Sequence, residues 1–281
     1  MVRYSEIGLK STPVRMRYEN QLRDSMLSML AADGVEALIE KGDTRFYVKT
    51  SDIEGTIKSL RKVFGIGSLS VAEVTSSSME DICKGAAEYS VGRISEGMSF
   101  AVKPRREGTH PYRSTDVGRE AGSAIYGANE HLNVSVNLTD PDKVFFIEVR
   151  ENKAYIFDEY IRGHGGLPVG TQGRVIASLG DDRASLSAWL MMKRGCRIAA
   201  KGKDTSGILA HYDPDMKFLD EGEEDFRALG YVLGTSLENL NDVNVTDYDL
   251  PVYFPTIGMS DDKVREMMDF LKKESKGIKT Q

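Results

Sequence analysis

The spacing of apolar residues along the chain predicts a repeated alternation of short strands and amphipathic helices. Residues 2–9 read as an opening strand, followed by Thr12 as a helix N-cap and Pro13 at the first helical position. Tyr18, Leu22, Met26, Met29 and Leu30 then fall at i, i+4, i+8, i+11 and i+12, one apolar stripe of a helix reaching Ala31. Short strands over residues 36–40 and 45–49 and a helix over 52–63 complete a small α+β unit. A second unit of similar grain starts with residues 69–74. It has helices over 78–91 and 116–126, strands over 98–103, 133–138, 144–149 and 154–157, and a turn at Asp140-Pro141-Asp142-Lys143.

Residues 162–170, Arg162-Gly163-His164-Gly165-Gly166-Leu167-Pro168-Val169-Gly170, read as a linker, because glycine and proline at that density cannot hold a regular element. Beyond it, residues 174–179 predict a buried strand and 184–194 a helix that Gly195 ends. Strands near 196–200, 231–233 and 252–254 alternate with helices, which favours a parallel sheet with helical cover. Ser260 caps a last helix over 261–273, with Asp261 and Asp262 set well against its dipole. A short polar tail follows.

At 281 residues the chain is long enough for two or three compact units. No apolar run approaches the roughly 20 residues that span a bilayer. The start, Met1-Val2-Arg3-Tyr4-Ser5-Glu6, lacks the apolar stretch of a signal peptide, so no membrane partner is expected and the cytoplasm is the expected location. Cys83 and Cys196 stand far apart with no metal-ligand spacing, so neither a disulfide framework nor a zinc site is indicated. Both are expected to be small buried residues. The methionines Met16, Met26, Met29, Met191 and Met192 read as core filling.

The net charge of −6 means that a nucleic-acid partner would have to meet a local patch. Lys103, Arg105, Arg106 and Arg113 crowd one short segment against the single acid Glu107. Each could displace counterions from a phosphate, and Tyr112 could stack on an unpaired base. On charge alone, a solvated strand end explains the cluster as well. Residues 213–225 hold seven carboxylates and one lysine, and read as a solvated loop and helix start.

Several segments together resemble the tRNA 4-thiouridine synthase (ThiI) family. Residues 2–10, VRYSEIGLK, look like its opening strand, and Val63-Phe64-Gly65-Ile66 like the end of its ferredoxin-like first domain. FAVKPRREGTHPYRS at 100–114 is similar to the basic segment of its THUMP domain, with His110 where the family usually has phenylalanine. LTDPDK, IEVR and AY match the strands that follow, and GHGGLPVGTQGRV the bridge into the ATP-binding domain. AWLMMKRGC at 188–196 resembles the helix after the nucleotide loop, and LPVYFPTIGM at 250–259 a later segment.

The resemblance implies an α/β protein in three parts: a ferredoxin-like α+β unit over 1–68, a THUMP α/β RNA-binding unit over 69–160 and, after a linker over 161–173, a reduced Rossmann-like (PP-loop-type) parallel-sheet domain over 174–273, with 274–281 as tail. It implies tRNA as partner, with Lys103, Arg105, Arg106, Tyr112 and Arg113 as the RNA-binding surface. A separate sulfur donor or modification enzyme, and a homodimer, are further expectations.

Active members of the family adenylate a uridine of tRNA with ATP through a loop of the form Ser-Gly-Gly-x-Asp-Ser, and then deliver persulfide sulfur. Here the six residues are Leu179-Gly180-Asp181-Asp182-Arg183-Ala184. Such a loop presents bare N–H groups and a helix N-terminus to the pyrophosphate, which needs glycine and hydroxyls. A carboxylate opposing one phosphate charge at about 5 Å and an effective dielectric near 20 costs roughly 3 kcal/mol, about a hundredfold in affinity. Asp181 and Asp182 have two further readings: ligands of a bridging Mg²⁺, or a cap for the helix beginning at Arg183. Arg183 also reverses the charge at the family's acidic position. Ser178, Gly180, Asp181 and Gly234 are the remnant cofactor-site residues, with ATP and Mg²⁺ as cofactors only if the loop still functions. No catalytic residue and no metal ligand is assigned.

The sequence ends before the region where the family carries its sulfur-relaying cysteine, which points to a truncated member. Together these features point to a tRNA-binding protein that serves thiolation or another tRNA modification as a binding or accessory component. The rival is an active ATP-dependent tRNA sulfurtransferase with an atypical loop and sulfur relayed from a partner.

Overall fold

The computed structural model describes residues 1–276. The first strand, β1 (Val2–Tyr4), is half the expected length. Its ladder slips register after Arg3, and a 3₁₀ turn at Glu6–Leu9 buries Ile7. The helix α1 (Thr12–Ala32) is capped at Ser11 rather than Thr12, because the Ser11 carbonyl already accepts the Arg15 N–H at 2.8 Å. Its expected stripe of Tyr18, Leu22, Met26, Met29 and Leu30 is buried, whereas Met16 is 53% exposed and fills no core. Four residues on from Leu22, Met26 turns inward; Met16 lies off that stripe.

The strands β2 (Leu38–Lys41) and β3 (Phe46–Lys49) form a hairpin. The helix α2 (Ile53–Arg61) follows, its N-cap Asp52 accepting from Gly55 N–H at 2.8 Å, and then β4 (Ile66–Leu69). All pairings are antiparallel in the order β4-β1-β3-β2, the ferredoxin-like arrangement.

The chain next forms β5 (Glu73–Ser76), α3 (Met79–Ser90), β6 (Ser99–Glu107), α4 (Ser114–Asn129), β7 (Ser135–Val136), β8 (Lys143–Arg150) and β9 (Lys153–Phe157). Its sheet runs β5-β9-β8-β6-β7, with β6 parallel to both of its neighbours. Phe145, Ile147 and Val149 alternate along β8 onto one face, where they bury Ile82 and Ala86 of α3 and Val117, Ala121 and Ile125 of α4.

After β10 (Ile161–Arg162) come β11 (Arg174–Ser178), α5 (Asp182–Lys193), β12 (Arg197–Lys201), α6 (Leu209–Tyr212), β13 (Lys217–Leu219), β14 (Ala228–Val232), β15 (Val252–Tyr253) and α7 (Asp261–Ser275). The expected parallel sheet is present, in the order β13-β12-β11-β14-β15. Ser260 caps α7 by accepting from Lys263 N–H at 3.3 Å. This helix runs to Ser275, into the residues expected as tail, and 277–281 lie outside the described residues.

Two compact units emerge. One consists of Met1 and Ser70–Ile161; the other joins Val2–Leu69 to the chain from Arg162 onward. The second unit is a merger of sequence-distant parts. Phe64, from the ferredoxin-like end, is 1% exposed inside the core of the C-terminal sheet. Its ring centroid lies 5.4 Å from Trp189, 5.6 Å from Tyr212 and 5.8 Å from His164. Glu274 on α7 accepts from Tyr212 Oη at 2.9 Å and lies 3.0 Å from His164 Nε2.

The glycine-rich linker is therefore a strap within this unit. Gly165 N–H bonds Ile66 O at 2.8 Å, and Leu167 N–H bonds Lys193 O at 3.0 Å. A Cβ at 163 would lie 2.4 Å from Ile66 O, and one at 166 would lie 2.2 Å from Lys193 O, so both glycines are required by close backbone approach.

Truncating Phe64 to alanine is expected to cost about 3–5 kcal/mol. In urea unfolding followed by Trp189 fluorescence, F64A should unfold at markedly lower denaturant, while hydrogen exchange of β8 in the other unit stays unchanged. Equal loss of protection in both units would contradict the division.

Candidate nucleic-acid interface and nucleotide loop

Strand alternation divides the basic segment. On β6, Lys103 and Arg105 stand with Glu107 on one face, registered against Phe146, Glu148 and Arg150 of β8. Val102, Pro104 and Arg106 stand on the other, beside α4. Lys103 and Arg105 are exposed, and Arg106 is half-buried with Nη1 donating to Gly108 O at 2.8 Å. Arg113 is exposed at the N-cap of α4, and its N–H donates to Asp116 at 2.8 Å.

The five expected residues thus do not form one face. Three of them, Lys103, Arg105 and Arg106, share an edge: β7 pairs with β6 only at Ser99 and Phe100, so from Ala101 onward the outer side of β6 carries no strand partner among the described residues. Pro104, which has no N–H to donate, suits such an edge. Tyr112 and Arg113 lie in the segment between β6 and α4.

Tyr112 is more constrained than a free stacking platform. Its hydroxyl donates to Ser77 O, its ring packs on the core of the unit, and it stacks on His110 at 5.5 Å. Burial raises its pKa, opposed by the charge of Arg106.

Beside this edge runs a groove of about 690 Å³ between α4 and the helix-facing side of β6. Gly118 and Gly122, one turn apart, open it, with Ser114, Thr115, Arg119 and Tyr126 along its wall. The i, i+4 spacing of these two glycines is the sequence signal for the groove.

The nucleotide loop sits where a parallel sheet places ligands, at the carboxyl ends of β11 and β14, between which the strand order reverses direction. Ser178 and Gly180 are exposed there. A Cβ at 180 would meet nothing within 4 Å, so no tight turn demands that glycine.

Asp181 is the N-cap of α5, which begins at Asp182, and its Oδ1 accepts from Ala184 N–H at 2.7 Å. Asp182 is held by Lys272 of α7 at 2.7 Å. Gly234 presses β14's exit against the same turn: a Cβ there would lie 2.4 Å from Ala184 N. The N-terminus of α5 is thus filled by protein on two sides. A phosphate at this terminus would meet the Asp181 carboxylate, which already holds the Ala184 N–H.

Arg183 carries a role that spacing alone did not reveal. It is buried, with Nη1 donating to Thr256 O at 2.8 Å and Nη2 to Met259 O at 2.9 Å and Asp261 Oδ1 at 2.7 Å. It ties the loop to the chain entering α7.

The cysteines and the acidic run also differ from expectation. Cys196 is buried, but Cys83 is only half-buried, on a helix whose inward positions are Ile82 and Ala86. Burial pushes both thiols up in pKa, with Glu120 adding to it at Cys83, which disfavours a thiolate nucleophile. Cys196 moreover precedes β12, at the opposite end of the sheet from the loop.

Within the run 213–225, Asp213 and Asp225 are buried rather than solvated. Asp225 meets Arg174 at 2.6 Å. Burial works to raise its pKa, but the Arg174 hydrogen bond and charge hold it below the usual carboxylate range.

Comparison with known proteins follows the same division. Residues 1–70 match the ThiI ferredoxin-like domain and residues 76–159 the THUMP domain. The chain is 41% identical to a probable tRNA sulfurtransferase of Methanosarcina acetivorans over 202 residues, 70% of this chain and 49% of that protein. It is 36% identical to one from Methanobrevibacter smithii over 231 residues, 79% and 58% respectively. The chain spans about half the length of the curated relatives it matches.

Among solved structures, PH1313 from Pyrococcus horikoshii Ot3 aligns with a TM-score of 0.81 at 29% identity, over 96% of this chain and 98% of that one. A 4-thiouridine synthetase solved as an RNA complex with bound ATP aligns at 0.78 and 21% identity, over 98% and 85%, a likeness of fold.

Two substitutions test the filled loop. Asp181→Ala removes the cap and should cost about 1 kcal/mol. Arg183→Met strands buried carbonyls at about 1–3 kcal/mol each. Equilibrium urea unfolding measures both; a neutral Arg183→Met would show that the guanidinium ties nothing together.

Proposed function

The chain belongs to the family of the tRNA sulfurtransferases, and we propose that it binds tRNA through its THUMP unit and serves thiolation, or another tRNA modification, as a binding or accessory component. The observation that carries this reading is the bond from Ala184 N–H to Asp181 at 2.7 Å. That bond fixes a carboxylate at the helix terminus, where it opposes the negative charge of a phosphate.

In this reading residues 1–68 and 69–160 are the ferredoxin-like and RNA-binding parts. Residues 161–173 are a strap, and 174–273 are an adenylation-like domain kept as a support. A separate sulfur donor or modification enzyme supplies the chemistry, in the cytoplasm where tRNA is found, and a homodimer is the proposed assembly.

The RNA surface we propose is the open edge of β6. A phosphate backbone running along it is met by Lys103 and Arg105 from one side and by Arg106 and Arg113 from the other. Tyr112, half-buried and anchored on Ser77, presents a ring edge to a nucleotide. Cations flanking an edge favour a single-stranded or terminal segment, which fits beside a strand where a duplex does not.

Binding of labelled tRNA, followed by anisotropy across a salt series, tests both halves. Lys103→Ala with Arg105→Ala, and separately Arg106→Ala with Arg113→Ala, should each weaken binding about tenfold. Each pair should also flatten the plot of log affinity against log salt by roughly 1–2. Wild-type affinity in the fourfold variant would sink the surface. Saturable ATP binding by calorimetry would favour an active sulfurtransferase with an atypical loop instead.

A further inference from the structure

At the end of the parallel sheet opposite the nucleotide loop, a largely enclosed cavity of about 90 Å³ lies between α1 and the turn after α6. Two buried groups there lack partners. Asp213 is 5% exposed, and its Oδ1 accepts from Asp215 N–H at 3.2 Å, but its buried Oδ2 has no hydrogen-bond partner. Arg197, at the start of β12, lines the same cavity with a buried Nε that has none either. The two side chains influence one another electrostatically without forming an ion pair: the charge of Arg197 lowers the Asp213 pKa, which burial nonetheless raises overall.

A buried carboxylate oxygen and a buried guanidinium N–H, both without a partner and facing one space, are a costly arrangement, because each atom forfeits its hydration. A lone cation would satisfy Asp213 and leave Arg197 stranded, and a lone anion the reverse. Among the described residues no group of three or more His, Cys, Asp or Glu is placed to hold a metal ion. A molecule carrying both charges satisfies both residues at once. Two further carboxylates line the space, but each already has a partner: Asp215 accepts from Ser28 Oγ at 2.5 Å and Asp24 from Arg23 Nη2 at 3.2 Å. Ser25 adds a hydroxyl at the α1 rim, and Val63 and Val169 form an apolar wall. On the same measure a single water takes about 10–15 Å³, so the cavity has room for a small organic molecule.

We propose that this cavity is a binding site for a small zwitterion of the α-amino acid type, its ammonium on Asp213 and its carboxylate on Arg197. The site is independent of the tRNA reading, since it lies in the other compact unit and at the far end of the sheet from the remnant loop. Occupancy would tie α1 of the ferredoxin-like part to the turn beyond α6, the same seam that Phe64 closes.

The test is ligand-observed NMR and thermal shift on the full chain, with glycine and L-alanine as zwitterionic probes and methylammonium chloride and sodium acetate as single-charge controls. Saturable binding of glycine or alanine is expected, with single-charge controls at least tenfold weaker. Asp213→Asn and Arg197→Gln should each reduce zwitterion affinity at least tenfold. Ser25→Leu, which fills the cavity from its rim without touching either charge, should abolish binding with the fold intact by circular dichroism. Absence of saturable zwitterion binding to the wild-type chain would overturn the proposal. So would unchanged affinity in Ser25→Leu, or a crystal structure grown in glycine that places only water in the cavity.

Discussion

The architecture depends on one aromatic side chain crossing from one sequence-distant part to another. Phe64 leaves the ferredoxin-like part and is buried among Trp189, Tyr212 and His164, so the core of the C-terminal sheet is incomplete without it. Around this ring the other contacts take their places. The strap of 162–170 runs hydrogen-bonded between Ile66 and Lys193 because its glycines admit backbone at distances no Cβ allows. Glu274 gathers Tyr212, His164 and Arg61 at the edge of the same cluster. Burial tends to raise its pKa, and the hydrogen bond and charge of His164 overcome that.

This seam is one support of the C-terminal sheet. A parallel sheet needs cover on its faces, and its helices need anchored ends. Here Arg183 supplies an anchor by holding Thr256 and Met259 carbonyls, and Asp182 pairs with Lys272 across to α7. Asp181, Asp182 and Arg183 thus serve as structural ties. The THUMP unit has a core of its own, and its basic segment stays exposed on a strand edge, the kind of surface that can engage an extended polymer.

Much of this was legible from linear pattern. The stripe of Tyr18 to Leu30, the strand alternation of β8 and the cap at Ser260 follow from local periodicity and short-range hydrogen bonding, which a sequence states directly. The strand ended early at Tyr4, and the cap fell on Ser11, because those boundaries are decided by which carbonyl the chain can reach. Met16 looked like its neighbours by composition yet points to solvent, since its position rather than its chemistry sets its face.

By itself the sequence determined the main elements, the ferredoxin-like and THUMP kinship and the parallel sheet, because each is carried by residues close together in the chain. Only the tertiary structure decided that the first and last parts share a core, and that the five basic-segment residues divide between the two faces of β6 and the segment after it. It also decided that Asp213 is buried opposite an unpaired Arg197. These are consequences of where distant segments meet, and desolvation and hydrogen-bond partnership belong to that meeting rather than to any stretch of sequence.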